Sequence, residues 1–206
     1  KATCMRKPYL YRLINSVIAV NLLCLSSFAY GASKIPLDVL FGNPEKCFPT
    51  VSPDGKRLAY CAPVNGVLNV WVKLLHADNA RAVTKETYRG IFDYRWMHDS
   101  KQILYRQDTH GDENYHLYCV DLETSAITDL TPFPGVKVDS FEQSKEAPNQ
   151  ILIMMNKENK KLFDVYHLDL TTGNLTLQAE SDQAKAPDNV VGWFTDTKMR
   201  VRAALA

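Results

Sequence analysis

The chain has 206 residues, 46% of them apolar and 23% charged. That is the composition of a globular, core-forming protein, and it excludes a disordered tail, a collagen or a small disulfide scaffold. Lys and Arg number 24 and Asp and Glu 23, a net charge of +1, which gives no electrostatic footprint for nucleic-acid binding. No two of the nine glycines lie four positions apart, so a Gly-x-Ser-x-Gly nucleophile elbow is excluded, and the spacing also excludes a Gly-x-Gly-x-x-Gly dinucleotide loop.

Residues 5–12, MRKPYLYR, are a short basic segment, and residues 13–28, LINSVIAVNLLCLSSF, follow without a charge. Ala29 and Gly31 then place small residues at −3 and −1 of a cut after Gly31. This three-part layout predicts a cleaved signal peptide, formed as a signal helix over residues 1–31. Its apolar run is shorter than the roughly 20 residues that span a bilayer. Removing residues 1–31 takes away four basic residues and no acids, leaving a net charge of −3. The expected product is periplasmic or secreted, with no membrane span in the mature chain. Cys47, Cys61 and Cys119 remain. An odd number cannot fully pair; Cys47 and Cys61 flank a predicted hairpin, where a bridge is conceivable, but buried thiols packing as small hydrophobes is the simpler expectation.

After a lead-in over residues 32–47, the chain repeats itself. One copy starts at Phe48 (FPTVSPDGKRLAYCAP, LNVWVKLL, ARAVT), a second at Phe92 (FDYRWMHDSKQILYRQD, NYHLYCVDLETSAITDLT) and a third near Val138. Trp71, Tyr118 and Tyr166 recur at spacings of 47 and 48, and Val51, Trp96 and Phe141 at 45 and 45. Each copy reads as short strands joined by turns. Ser52-Pro53-Asp54-Gly55 combines a preset proline φ with a glycine that accepts positive φ, and His98–Lys101 and Thr171–Asn174 are further turn signals. Leu117–Leu122 and Val165–Leu170 are near-twin strands, each followed by a Thr-rich strand.

Four strands per copy at a period near 46 predict blades of a β-propeller. A lone four-stranded sheet cannot bury both faces, so each blade needs neighbours. The expected fold class is all-β, a partial β-propeller of about three and a half four-stranded blades over residues 48–206, with blades at roughly 48–90, 91–136 and 137–186 and the start of another at 187–206. Trp71, Trp96 and Trp193 are expected to pack between blades. An open stack of this size exposes a blade face and strand edges, so association or partial unfolding is expected.

Three segments carry a resemblance to a known family. Ile35–Pro44 with Pro49–Tyr60, then Gly111–Tyr118 (GDENYHLY), then Val190–Ala206 (VVGWFTDTKMRVRAALA) resemble the lead-in and propeller of secreted serine peptidases of the prolyl oligopeptidase family, on the acylaminoacyl-peptidase-like branch. The resemblance implies a propeller that limits access of large substrates to a C-terminal α/β-hydrolase domain with a Ser-Asp-His triad. That domain is missing from these residues, so no catalytic residue is assigned and the chain is expected to be inactive alone. The implied partner is a peptide substrate met through the hydrolase domain. Two other readings remain open: a stand-alone periplasmic TolB-like propeller binding protein partners, and a non-functional truncated remnant.

The loop Asp108–Asn114 is the most acid-rich. Asp112 and Glu113 are its candidate binding residues, able to meet a substrate amine or an Arg of the hydrolase domain; a solvated hairpin loop is the plainer reading. His110 and His116 are six apart with no converging ligands, no CxxC or HExxH spacing occurs, and neither a metal nor a cofactor is expected. Arg200 and Arg202 alternate on a predicted strand, and Asn174-Leu175-Thr176 is a glycosylation sequon.

Overall fold

The computed structural model describes residues 34–179, 190 and 192–205. The expected signal peptide and its cut after Gly31 lie outside the described residues. The chain divides into two units, Lys1–Gly42 and Asn43–Ala206. The described part of the first holds one short helix, α1 (Leu37–Phe41), whose first turn is closed by the Val39 and Leu40 amides donating to the Pro36 carbonyl at 3.1 and 3.2 Å.

The second unit is a run of antiparallel sheets. β1 (Cys47–Val51), β2 (Arg57–Val64), β3 (Val67–Leu74) and β4 (Arg81–Ala82) form the first, in that order. β5 (Tyr94–Trp96), β6 (Gln102–Gln107), β7 (His116–Asp121) and β8 (Ile127–Asp129) form the second. β9 (Val138–Ser144), β10 (Ala147–Met155), β11 (Asp164–Asp169) and β12 (Leu175–Ala179) form the third, and β13 (Gly192–Thr195) and β14 (Val201–Leu205) a hairpin. Successive four-stranded meanders with the first strand of each sheet meeting the first strand of the next make the all-β partial propeller that the repeat predicts. The Thr-rich tail of the first copy is shorter than its sequence suggests, with only Arg81 and Ala82 in the ladder.

The turns explain the strand ends. Asp54 Oδ1 accepts from the Lys56 amide at 3.1 Å, and Gly55 sits at φ 72; Asp99 and Asp196 repeat the arrangement on the amides of Lys101 and Lys198. These are Asx turns, a carboxylate standing in for a backbone acceptor. On the other hairpin of each blade, Asp121 Oδ1 takes the Glu123 and Thr124 amides, and Asp169 Oδ1 takes those of Thr171 and Thr172.

Alternation of side chains assigns each sheet face to a different interface. Ile103 and Tyr105 on β6 join Ala59, Cys61, Val70 and Val72 between the first and second sheets. Leu104, between them in sequence, points the other way and joins Ile151, Ile153 and Phe141 between the second and third. Leu152 in turn faces Val165 and Met199, with Trp193 and Val201 packed against them. The core is therefore three layers between sheets, which is why no sheet is stable without a neighbour.

Hydrogen bonds repeat with the sequence. Val83 N–H donates to Val70 C=O and Leu130 N–H to Leu117 C=O, both at 2.8 Å, pairs displaced by 47 positions. Thr84 and Thr131 are buried and accept from the Val70 and Leu117 amides at 2.9 and 3.0 Å. Innermost strands are cross-tied: Trp96 Nε1 donates to Thr50 C=O at 3.4 Å, Tyr94 Oη to Phe48 C=O, and Gln143 Nε2 to Trp96 C=O at 3.3 Å. Trp96 and Trp193 thus pack between sheets as expected. Trp71 differs: it is half-buried, its indole donates to Ala62 C=O of its own sheet at 3.1 Å, and among the described residues it joins none of the buried clusters.

Candidate functional site

Three clefts open at one end of the sheets, where β2, β6 and β10 finish and β3, β7 and β11 begin. Three connections build that end: residues 83–93, 108–115 and 130–137. None has a ladder of its own, so buried side chains supply the missing backbone partners.

Asn69 anchors the first connection. It is fully buried, its Oδ1 accepts from Thr84 Oγ1 at 2.8 Å and the Glu86 amide at 2.7 Å, and its Nδ2 donates to Glu86 C=O at 2.9 Å. Gln107 continues the tie by donating from Nε2 to Arg89 C=O. Asp108 is the hub of the second connection. Its side chain is wholly buried; Oδ2 accepts from Arg89 Nη1 at 2.8 Å and from the Glu113 amide at 3.1 Å. Its Oδ1 has no hydrogen-bond partner among the described residues. Arg89 is held in its charged form by that hydrogen bond first, and then by the charges of Tyr115 and Asp108. Glu86 sits close by, and burial pushes its carboxyl above the ordinary range, opposed by a hydrogen bond from Gln107 and aided by the Asp108 charge. Asp108 is thus a buried carboxylate paired with a partly exposed arginine, with a second, partly desolvated acid next to it.

The residues singled out in the sequence fall on the rim of this arrangement. Asp112 is exposed and turned inward on its own loop: Oδ1 accepts from the Thr109 and Asn114 amides at 3.1 Å each, and Oδ2 from Asn114 Nδ2 at 3.2 Å. Burial works upward on its carboxyl, but the Asn114 and Thr109 hydrogen bonds and the His116 charge outweigh it and hold it below the ordinary range. Glu113 is exposed, with left-handed backbone at φ 59; its amide binds Asp108 and its charge adds to the field on Arg89. His110 leans on the Tyr88 ring at 5.5 Å, while His116 Nδ1 lies 2.8 Å from Asp129 Oδ2; the two histidines do not share a site. Arg200 and Arg202 converge on Asp196 at 2.8 and 3.8 Å, at the opposite end of the sheets. Among the described residues no group of three or more His, Cys, Asp and Glu is placed to hold a metal ion. Cys47, Cys61 and Cys119 are free thiols, the last two buried.

Asn69, Arg89, Gln107 and Lys137 were not singled out in the sequence. Only Asn69 carried a usable signal, a polar residue inside the apolar run Val67–Val72.

Three cavities open here, of which one of about 450 Å³ lies beside Val64, Asn65 and Lys85 and two others flank the 108–115 connection. One of about 230 Å³ is walled by Glu86, Arg89, Asp108, His110 and Tyr118. The other, of about 290 Å³, lies against Phe92, Asp93, Arg106, Tyr115 and Lys137. Tyr115 stands beside both cationic groups: the Arg89 guanidinium is 5.7 Å from its ring centroid and Lys137 Nζ 5.9 Å.

Comparison with known proteins locates this architecture. The chain is 42% identical over 177 residues to dipeptidyl aminopeptidase BIII of Pseudoxanthomonas mexicana, covering 84% of this chain and 25% of that protein. It is 30% identical over 196 residues to dipeptidyl peptidase family member 6 of Caenorhabditis elegans, covering 91% of this chain and again 25% of the relative. It is a propeller portion of a peptidase-family protein. No protein-family model matches the chain. In fold, this peptidase propeller is similar to a solved puromycin hydrolase, with a TM-score of 0.50 and 18% identity over 66% of this chain and 22% of that one. The peptidase propeller thus spans a quarter of the length of the curated relatives it matches.

Proposed function

We propose that this chain is the non-catalytic propeller of a secreted serine peptidase, acting on peptides by restricting which of them reach an α/β-hydrolase domain. The observation that carries the reading is the 42% identity to a dipeptidyl aminopeptidase over 84% of the chain. The absence of a Gly-x-Ser-x-Gly elbow from these 206 residues assigns the nucleophile to another part of such an enzyme. The physical basis of gating is rigidity: blades tied to one another through core layers and carbonyl hydrogen bonds form walls that a folded protein does not pass but an extended peptide does. Asp112 and Glu113, on the rim of the cleft-bearing end, are the groups we assign to contact with a substrate amine or an arginine of the hydrolase domain. Export follows from the segment 5–31, and the mature chain is expected to begin at Ala32.

The test uses the purified chain and the same chain joined to a hydrolase domain of the relatives' kind. The chain alone is expected to leave dipeptidyl chromogenic substrates intact and to take no label from a fluorophosphonate. The joined protein should hydrolyse short peptides and spare folded proteins, and Asp112→Asn with Glu113→Gln should raise KM more than they lower kcat. Labelling of the isolated chain overturns the assignment. Hydrolysis of folded proteins at the rate of peptides overturns the gating.

A further inference from the structure

We propose that the cleft of about 290 Å³ beside Tyr115 binds a carboxylate carried next to an apolar group, as in the C-terminal residue of a peptide. The inference rests on the peptidase reading only for the ligand being a peptide; the binding chemistry comes from the cleft itself.

The charges that line the cleft do not cancel. Asp93 is matched by Arg106, whose Nε lies 2.7 Å from the carboxylate. Arg106 is also fixed from behind, its Nη1 donating to the Val138 and Asp139 carbonyls. Lys137 is different. Its Nζ has no ion-pair partner among the described residues and meets only the face of Tyr115, 5.9 Å away. Its backbone, by contrast, is pinned on both sides. The Lys137 amide donates to Asn156 Oδ1 at 2.6 Å and the Asn156 amide donates to the Lys137 carbonyl at 3.2 Å. The held backbone fixes where the Lys137 stem begins, while its uncommitted ammonium is free to reach a ligand in the cleft.

One uncompensated positive charge selects the ligand. It matches a monoanion; a phosphate, which carries closer to two charges, would call for a second free cation. A divalent cation is repelled by the same lysine. The apolar half of the ligand has a wall ready: Phe92 lines the cleft and is 58% exposed. The volume suits one amino-acid residue and is too small for a folded partner. A peptide's last residue presents a carboxylate and a side chain on the same Cα, and Lys137 and Phe92 line the same cleft.

The experiment is a calorimetric titration of the whole chain with N-acetyl-phenylalanine, its amide, and the α-amide of N-acetyl-glutamate. The acid is expected to bind in the millimolar range and the amide about fivefold more weakly, since a partly exposed charge contact is modest. Raising the salt should narrow that gap. Lys137→Met keeps the stem and the backbone ties, so the melting temperature should hold while the acid loses its advantage. Phe92→Ala should weaken acid and amide together. Equal binding of acid and amide, an unchanged preference in Lys137→Met, or no binding of the acid overturns the proposal. Glutamate α-amide binding as tightly as N-acetyl-phenylalanine overturns the assignment to a terminal residue. None of these readouts involves hydrolysis, so this proposal and the peptidase reading can fail separately.

Discussion

The Arg95 guanidinium lies 4.6 Å from the centroid of the Phe141 ring, and its Nη1 donates to the Phe141 carbonyl at 3.0 Å. The two residues are one repeat apart, on the innermost strands of successive sheets. One side chain therefore ties neighbouring blades by both a cation–π contact and a backbone hydrogen bond. The nearby Glu142 carboxylate, at 3.7 Å with both side chains largely exposed, adds little. Arg95→Met is expected to cost about 1–2 kcal/mol in urea unfolding. Arg95→Lys should recover less than half of that, because an ammonium cannot stack flat and donate sideways at once. Glu142→Gln should stay within about 0.5 kcal/mol.

Asp108 holds the 108–115 connection from inside. Asp108→Ala removes the acceptor for both Arg89 and the Glu113 amide. The expected loss is about 2 kcal/mol, below the full cost of breaking a buried pair because Arg89 can turn to solvent. Amide hydrogen exchange checks the mechanism: Glu113 should exchange faster in the variant while amides in β6 hold their protection.

Two glycines resist substitution for different reasons. A Cβ on Gly90 would meet Leu68 Cβ at 2.9 Å and the Leu68 nitrogen at 3.3 Å. Leu68 is buried on β3, packed under the 83–93 connection, and cannot retreat. Gly90→Ala should therefore cost about 1–3 kcal/mol by overpacking. Gly55 has open space around it but sits at φ 72; Gly55→Ala should cost about 1 kcal/mol through backbone strain alone. Melting curves of a double-mutant cycle separate the cases if Leu68→Gly, which removes the clashing Cβ, makes Gly90→Ala less costly and leaves the Gly55→Ala loss unchanged.

Burial shifts several weak acids upward, among them Cys61 to about 12 and Cys119 to about 11, both from 9.0, and Tyr94 to about 12 from 10.0. Above pH 9 the unfolded chain releases these protons while the folded chain keeps them, so the unfolded state binds fewer protons and stability falls as pH rises. The urea midpoint is expected to stay level near neutrality and drop between about pH 9 and 11. Cys61→Ala should flatten the drop. In a chain with Cys4 and Cys24 replaced by Ser, a thiol reagent at neutral pH should modify Cys47 first, leaving Cys61 and Cys119 until the protein unfolds.

The strands and turns were legible because local chemistry determines them. Alternating apolar residues, the Asp at 54 and the twin segments at 117 and 165 each specify structure within a few positions. The repeat then implied the layered core, since only stacked sheets can use both faces. The functional end was less legible, because its order depends on contacts between distant residues. Asp108 and Asp112 lie four apart in one acid-rich loop, and nothing local says that the first is wholly buried against Arg89 while the second caps its own turn. Lys137 reads as an ordinary surface lysine until Tyr115 and Asn156 are seen beside it. Trp71 joins no cluster among the described residues because its repeat equivalents, Tyr118 and Tyr166, pack against the sheet before their own, and no described sheet precedes the first.

Every ladder joins strands that are consecutive in the chain. A blade can therefore complete its hydrogen bonding as soon as it leaves the ribosome, with nothing borrowed from later sequence. Its greasy outer flank must wait for the next blade, about 46 residues further on, or roughly 2–9 s of translation. Each newly made module is thus finished in its backbone but adhesive for seconds, the interval in which a holding chaperone would have most to do.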